Sequence, residues 1–536
     1  MFICIVGSFI CDEALSLSNS RETSPSEGRL HLKSELPPIT ANQGGGSEST
    51  RLRNRALGRK ISQSELKDHQ APPSLWITVN NKVYDVTKWS KYHPGGESAI
   101  LSVGGRDATD IMSQFHRPEV WKPRIGKFYV GDLVTDAKFS TDNDEKTLEN
   151  PSQAVTREFR ELGDWLQKNG WYIPSKLFIL GKMSVLLLMI SAALYLFFDS
   201  LNVPENESPK WSLYLSGFIL GLFWQQANFV GHDVGHSSVF EDSFQHKVLG
   251  VTVGSLFTGL SINWWKHTHY THHVITNVLT HDPDIQHLPV FAITDKFFNY
   301  VKGHGPGLFS RYWNKYMPFD RVSRFLISYQ HILFYPIMSV ARVNLLAQAL
   351  LFVLTHPRCK GKLKLAELCG LAVFYAWYGY LLYLCPTWAS RIAFWYVAFA
   401  TVGIIHVQIC LSHFMMETFD DVPYEKESDE GFYEFQLKTS LDVDCPKYMD
   451  WFHGGLQYQV IHHLYPRIPR HRLRDLRKKV EEIVERYPHV KYHHYTFTEA
   501  NMLTLEHMKR IAMQARAGKF VPFENTMIFE GLNAIG

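Results

Sequence analysis

Three groups of residues share a spacing that suits metal chemistry: His232 and His236, then His269, His272 and His273, then Gln459, His462 and His463. On a helix, positions i and i+4 share one face, and so do i, i+3 and i+4. Three such faces can converge on one centre of two irons, because imidazole suits iron and resists the oxidation that ends a thiolate ligand. Iron with dioxygen can cut an unactivated C–H bond, which side chains alone cannot. His267 lies two residues before His269 and points about 200° away from that face. His413 ends an apolar run and is an extra candidate; an ionisable residue at a membrane boundary is either functional or a simple interface histidine. The stretch from Thr280 to His287 carries His and Asp at a spacing that fits no helical face, and reads as a structured loop near the substrate entrance.

Those faces need elements to hold them. The 536 residues exceed one ordinary domain. Mean hydropathy is −0.15, yet the average joins a polar first third to a middle with long uncharged runs. A net charge of +3 makes no case for nucleic acid. The seven cysteines form no CxxC pair and read as reduced thiols. Aromatic residues at 14% fit belts at a membrane interface.

Residues 1–58 read as a disordered leader rather than a cleaved signal, since no basic start precedes the short apolar run. A β-hairpin is expected where Trp76–Val79 and Lys82–Val86 alternate around Asn80-Asn81. His93-Pro94-Gly95-Gly96 and Phe115-His116 then place two histidines 23 positions apart, with a turn tight enough to lie beside a flat ligand. The polar residues 135–172 are expected to be a linker. Residues 183–198 with their flanks, 211–231, 368–390 and 392–416 are expected to span a membrane, four spans in two pairs that put all three histidine groups on one side. Run 248–265 is spanning or re-entrant. Run 325–356, broken by Pro336 and Arg342, is interfacial or kinked. From residue 464 onward the chain is charged and helical in pattern without another span, and residues 481–536 are expected to be a cytosolic C-terminal tail.

Residues 59–134 resemble a cytochrome b5 domain on the WITV…VYDV pair, HPGG, the Asp107-Ala-Thr run and the second histidine. That resemblance implies a small α+β domain with His93 and His116 as the axial ligands of a b-type haem. The boxes HDVGH, HYTHH and QVIHH behind it resemble the front-end membrane desaturases, a family with Gln in the first position of its third box, as at Gln459. Within that family, WWKHTHYTHHVITN, HDPDIQHLP and GGLQYQVIHHLYPRIPRH look most like the fungal delta-8 sphingolipid desaturases. Ile461 stands where many delta-6 and delta-5 acyl-lipid members carry Glu, which favours the same branch.

The resemblance implies an all-α, four-span membrane domain over residues 173–480 and two iron ions held by His232, His236, His269, His272, His273, His462 and His463. Gln459 is then a weaker ligand or a partner of one, and His413 one more ligand; no catalytic residue beyond these is implied. It also implies a ceramide or other long-chain lipid as substrate, dioxygen, an NADH-dependent cytochrome b5 reductase as electron source, and an endoplasmic reticulum membrane with haem domain and boxes in the cytosol. A delta-6 or delta-5 fatty-acyl desaturase shares every ligand. A membrane lipid hydroxylase shares the iron chemistry, and an electron carrier would use the haem domain alone.

Overall fold

The computed structural model describes residues 58–134, 150–202, 211–240, 242–420 and 431–518. The expected leader, apart from Gly58, and residues 135–149 of the expected linker lie outside them. The chain divides into two compact units, Met1–Lys146 and Thr147–Gly536.

The first unit is α+β. Its strands are β1 (Lys60–Ser62), β2 (Gln70–Ala71), β3 (Ser74–Val79), β4 (Lys82–Asp85) and β5 (Tyr129–Val134), in the order β1-β5-β4-β3-β2. β3 and β4 form the expected hairpin, Val79 pairing with Lys82. Both turn residues are left-handed, Asn80 at φ 51° and Asn81 at φ 58°, which matches the twist of the flanking strands. Ile61, Leu66, Trp76 and Val83 form its buried centre. Short helices Thr87–Ser90, Glu97–Leu101, Thr109–Phe115 and Pro118–Ile125 fill the span between β4 and β5.

The second unit is built on helices. Lys176–Asn202, Gly361–Leu384 and Trp388–Leu411 are long and apolar enough to cross a membrane. Two bent pairs raise the number to as many as five: Ser243–Thr258 with Ile262–Val274, at 104°, and Gln330–Val340 with Arg342–Thr355, at 57°. The kink expected in run 325–356 is therefore present, at Ala341 between the members of the second pair. The expected span 211–231 lies on helix Trp211–Gly235, which is not among the three. Gln225, Gln226 and Asn228 lower its hydropathy, and it packs between Lys176–Asn202 and Trp388–Leu411. Gly221 makes the second contact possible, because a Cβ there would meet Ala398 O at 2.6 Å.

Three expectations are corrected. The second unit is not wholly α-helical: strands Tyr300–Val301, Gly305–Ser310 and Lys315–Pro318 form a small sheet, where Gly303, Gly305 and Gly307 at positive φ with Pro306 and Pro318 oppose a helix. Part of the expected linker is helix Pro151–Lys168, which buries Val155, Phe159, Leu162 and Leu166 against helices Phe432–Thr439 and Leu473–Val484. Each such side chain is worth about 1.5–3 kcal/mol when buried, enough to order a helix that is polar elsewhere. The expected tail contains helix Phe497–Ala517, which buries Ala500, Thr504, Met508, Ile511 and Ala515 and packs on Arg321–Ser328 and Gln330–Val340.

Candidate metal centre

Each histidine group sits where a helix ends or turns. His232 closes helix Trp211–Gly235, and His236 follows one turn later, its N–H donating to His232 O. Gly235 is pressed against Trp265, whose ring a Cβ would strike at 1.8 Å. Helix Ile262–Val274 carries His269, His272 and His273; Ser261 caps its first turn through Trp264 N, and Glu367 accepts hydrogen bonds from Ser261 Oγ and from Asn263. The third group lies on the six-residue helix Gln459–Leu464, entered through Gly454 and Gly455, both left-handed. His413 follows the end of helix Trp388–Leu411.

These four segments bring nine side chains together. His232, His236, His269 and His462 present ligand nitrogens all within 4.8 Å of one another, and His272, His413 and His463 form a second set by the same measure. His273 lies between the sets, its Nε2 2.9 Å from His269 Nε2 and its ring stacked on His463 at 4.1 Å. Gln459 faces the second set, its amide nitrogen 3.2 Å from His413 Nε2 and 3.3 Å from His463 Nε2. His267 points elsewhere, toward Phe352 and His356, as its spacing predicts.

The donor atoms fit metal ions. Nε2 of His232, His236 and His462 and Oε1 of Gln459 are buried with no hydrogen-bond partner among the described residues, a cost that a bound cation removes. Burial, reinforced by neighbouring imidazoles, holds His462 and His463 well below the ordinary histidine range, so both are neutral, the form that binds metal. The opposite ring nitrogens are tied down. His272 Nδ1 donates to Asp282 Oδ2 at 2.8 Å, His413 Nδ1 to Thr439 O at 3.0 Å, and His463 Nδ1 to Gln436 Oε1 at 2.9 Å. His269 Nδ1 lies 3.5 Å from Asp284 Oδ2. Such partners fix each tautomer and turn Nε2 toward the cluster, where it could bind a metal.

Asp282, Asp284, Gln436 and Thr439 are thus partners of the clustered histidines that histidine spacing does not reveal. The loop from Thr280 to His287 supplies the two carboxylates. Their signal is the Asp-Pro-Asp run ten residues after His272; Gln436 and Thr439 carry none.

In the first unit, the His93 and His116 rings face each other with centres 5.8 Å apart. Two imidazoles sharing one metal at about 2 Å per bond have ring centres roughly 6 Å apart, so the pair fits a haem iron. His93 Nδ1 donates to Gly96 O at 2.9 Å and His116 Nδ1 to Met112 O at 3.3 Å, so Nε2 is the nitrogen on each ring that could bind an iron. Gly96 has φ 101°, a backbone that brings its carbonyl to His93 and that a side chain would strain.

A paired-histidine domain followed by apolar helices and two adjoining histidine clusters defines a membrane oxidoreductase. Residues 209–496 match the fatty acid desaturase family, and residues 62–134 match the cytochrome b5-like haem/steroid-binding domain. The chain belongs to the fatty acid desaturases, with a cytochrome b5-like domain fused in front, and its cofactors are haem and two irons. It is 35% identical to Delta(8)-fatty-acid desaturase 2 of Arabidopsis thaliana, over 89% of this chain and 98% of that one. It is 33% identical to the Acyl-lipid (9-3)-desaturase of Borago officinalis, over 90% and 99%. It is 31% identical to the Delta 8-(E)-sphingolipid desaturase of Emericella nidulans, over 82% and 92%.

Proposed function

We propose that this protein introduces a double bond at delta-8 of the long-chain base of a ceramide or related sphingolipid. Relatives named for delta-8 desaturation, which match over nearly their whole length, carry this reading. Ile461, at the position where many delta-6 and delta-5 members carry Glu, supports the same branch.

In this reading His232, His236, His269 and His462 hold one iron, His272, His413 and His463 hold the other, and His273 and Gln459 complete the set between them. With dioxygen and two electrons, two irons supply an oxidant able to take two hydrogens from a CH2–CH2 unit. Asp282, Gln436 and Thr439 keep three imidazoles turned toward the centre throughout. His93 and His116 hold the haem, and an NADH-dependent cytochrome b5 reductase supplies electrons to that domain. Fusion by a short tether raises the local concentration of the donor to the order of millimolar. The unit lies in the endoplasmic reticulum membrane with four spans, haem domain and boxes on the cytosolic side.

The test is expression in a host that makes neither unsaturated long-chain bases nor front-end fatty acids, with mass spectrometry of both pools. A base lighter by two hydrogens, with fragments that place the bond at C8, is the expected product. The 33% identity to an acyl-lipid (9-3)-desaturase favours one second reading, a front-end fatty-acyl desaturase. Unchanged bases beside a new delta-6 or delta-5 fatty acid would establish it and end the first.

A further inference from the structure

We propose that the cleft between helix Arg321–Ser328 and the end of helix Phe497–Ala517 binds the phosphate of an anionic phospholipid from the surrounding bilayer. Arg321, Arg324, Phe325, Ser328, Tyr329 and Arg516 line it, three guanidiniums and two hydroxyls with no carboxylate among the described residues. Two of the arginines are held in place. Arg324 Nε donates to Ala515 O at 3.1 Å and its Nη2 to Arg516 O at 2.9 Å, which covers carbonyls at a helix end that would otherwise repel an anion. The Arg516 guanidinium sits 4.5 Å over the Tyr329 ring. Arg321 and Arg516 make no ion pair among the described residues. Asp320, the acid beside Arg321, is buried and occupied by Ser323 N and Oγ.

The apolar surroundings of the cleft favour a lipid over a small free anion. Phe325 lines the cleft and is itself 61% exposed. Ile332 and Tyr335 continue that exposed apolar face along helix Gln330–Val340, part of a bent membrane-length pair. Exposed apolar side chains beside arginines and a tyrosine make the mix of residues that suits the boundary between acyl chain and headgroup. Guanidinium suits phosphate because its planar fork offers paired donors.

Full-length protein in neutral detergent, titrated with phosphatidic acid and followed by native mass spectrometry, tests this. The native chain is expected to bind the lipid ahead of phosphatidylcholine, and R321E with R516E to weaken binding about tenfold or more. A control pair at exposed lysines elsewhere, K478E with K491E, should leave binding unchanged. Product formation reports that each variant has folded; if charge reversal abolishes it, R321Q with R516Q carries the test. Equal loss in the control pair means diffuse attraction and overturns the site. Undiminished binding in the arginine variants overturns it too, as does displacement of the lipid by inorganic phosphate at matching concentration.

Discussion

His272 and Asp282 are joined by a 2.8 Å hydrogen bond from Nδ1 to Oδ2, with both side chains buried. The same oxygen accepts from Asn277 N at 2.8 Å, so one carboxylate fixes both a ring of the metal centre and the loop after its helix. Replacing Asp282 with Ala removes the orienting charge and frees the imidazole to rotate. Loss of such a partner costs about tenfold to a hundredfold in metal affinity or activity. The D282A variant should lose iron and product together while haem absorbance stays at one per chain. Full iron occupancy with full activity would show that His272 needs no partner.

His413 joins the second cluster from the end of helix Trp388–Leu411, with Nδ1 held by Thr439 O. Removing one of three imidazoles in that cluster leaves the first cluster whole. The H413A variant is therefore expected to retain about half of the iron and to make no product. Metal analysis beside product analysis separates this from a structural role, in which iron would leave both clusters or neither.

Much of this centre is legible as spacing, because ligands on one helix face must recur at i+3 and i+4. Asp282 and Gln436 are not, since a partner of a ligand can come from any loop that reaches it, and periodicity says nothing about loops. Helix Pro151–Lys168 is missed for another reason. Its charges suggest a tether, yet Val155, Phe159, Leu162 and Leu166 fall on one stripe at i, i+4, i+7 and i+11. The same stripe runs through Ala500, Thr504, Met508, Ile511 and Ala515, and a capping box between Thr496 and Glu499 announces that helix. Composition outweighs pattern in the first, the second is read as helical but as a tail, and burial in both is decided by the stripe. In the first unit the Asn80-Asn81 turn and Gly96 are legible because only a few residues tolerate a left-handed backbone.

Asp442 anchors the third histidine helix, accepting from Val460 N at 2.7 Å and from the Tyr492 hydroxyl. Burial pushes its carboxyl from 3.8 up to about 7 despite those donors and the nearby Arg477. The folded chain then holds a proton that the unfolded chain has released between these two values. This contribution to stability is complete below 3.8 and is lost as pH rises through about 7. Thermal inactivation midpoints should fall from pH 5 to pH 8 in the native protein. Asn at this position keeps an acceptor for Val460 N and cannot ionise, so D442N should flatten that slope. An unchanged slope in D442N would remove Asp442 as its source.

The sharp bend between Ser243–Thr258 and Ile262–Val274 leaves backbone carbonyls without helical partners among apolar helices, where each costs several kcal/mol if unmet. Three other helices satisfy them. Trp377 Nε1 donates to Leu256 O at 3.0 Å, Trp224 Nε1 donates to Phe257 O at 3.0 Å, and buried Arg342 donates to Thr258 O. A chain that merely crossed the bilayer would need no such cover midway. The pair is therefore expected to enter and return on one side, which puts His236 before it and His269 on its returning arm at the same surface. Cysteines placed at exposed Gln245 and Asp295 test this with a membrane-impermeant thiol reagent on sealed vesicles, read against the native cysteines as background. Both should label from the same side. Labelling from opposite sides would make the pair a true span and would require the first two histidine groups to meet by another route.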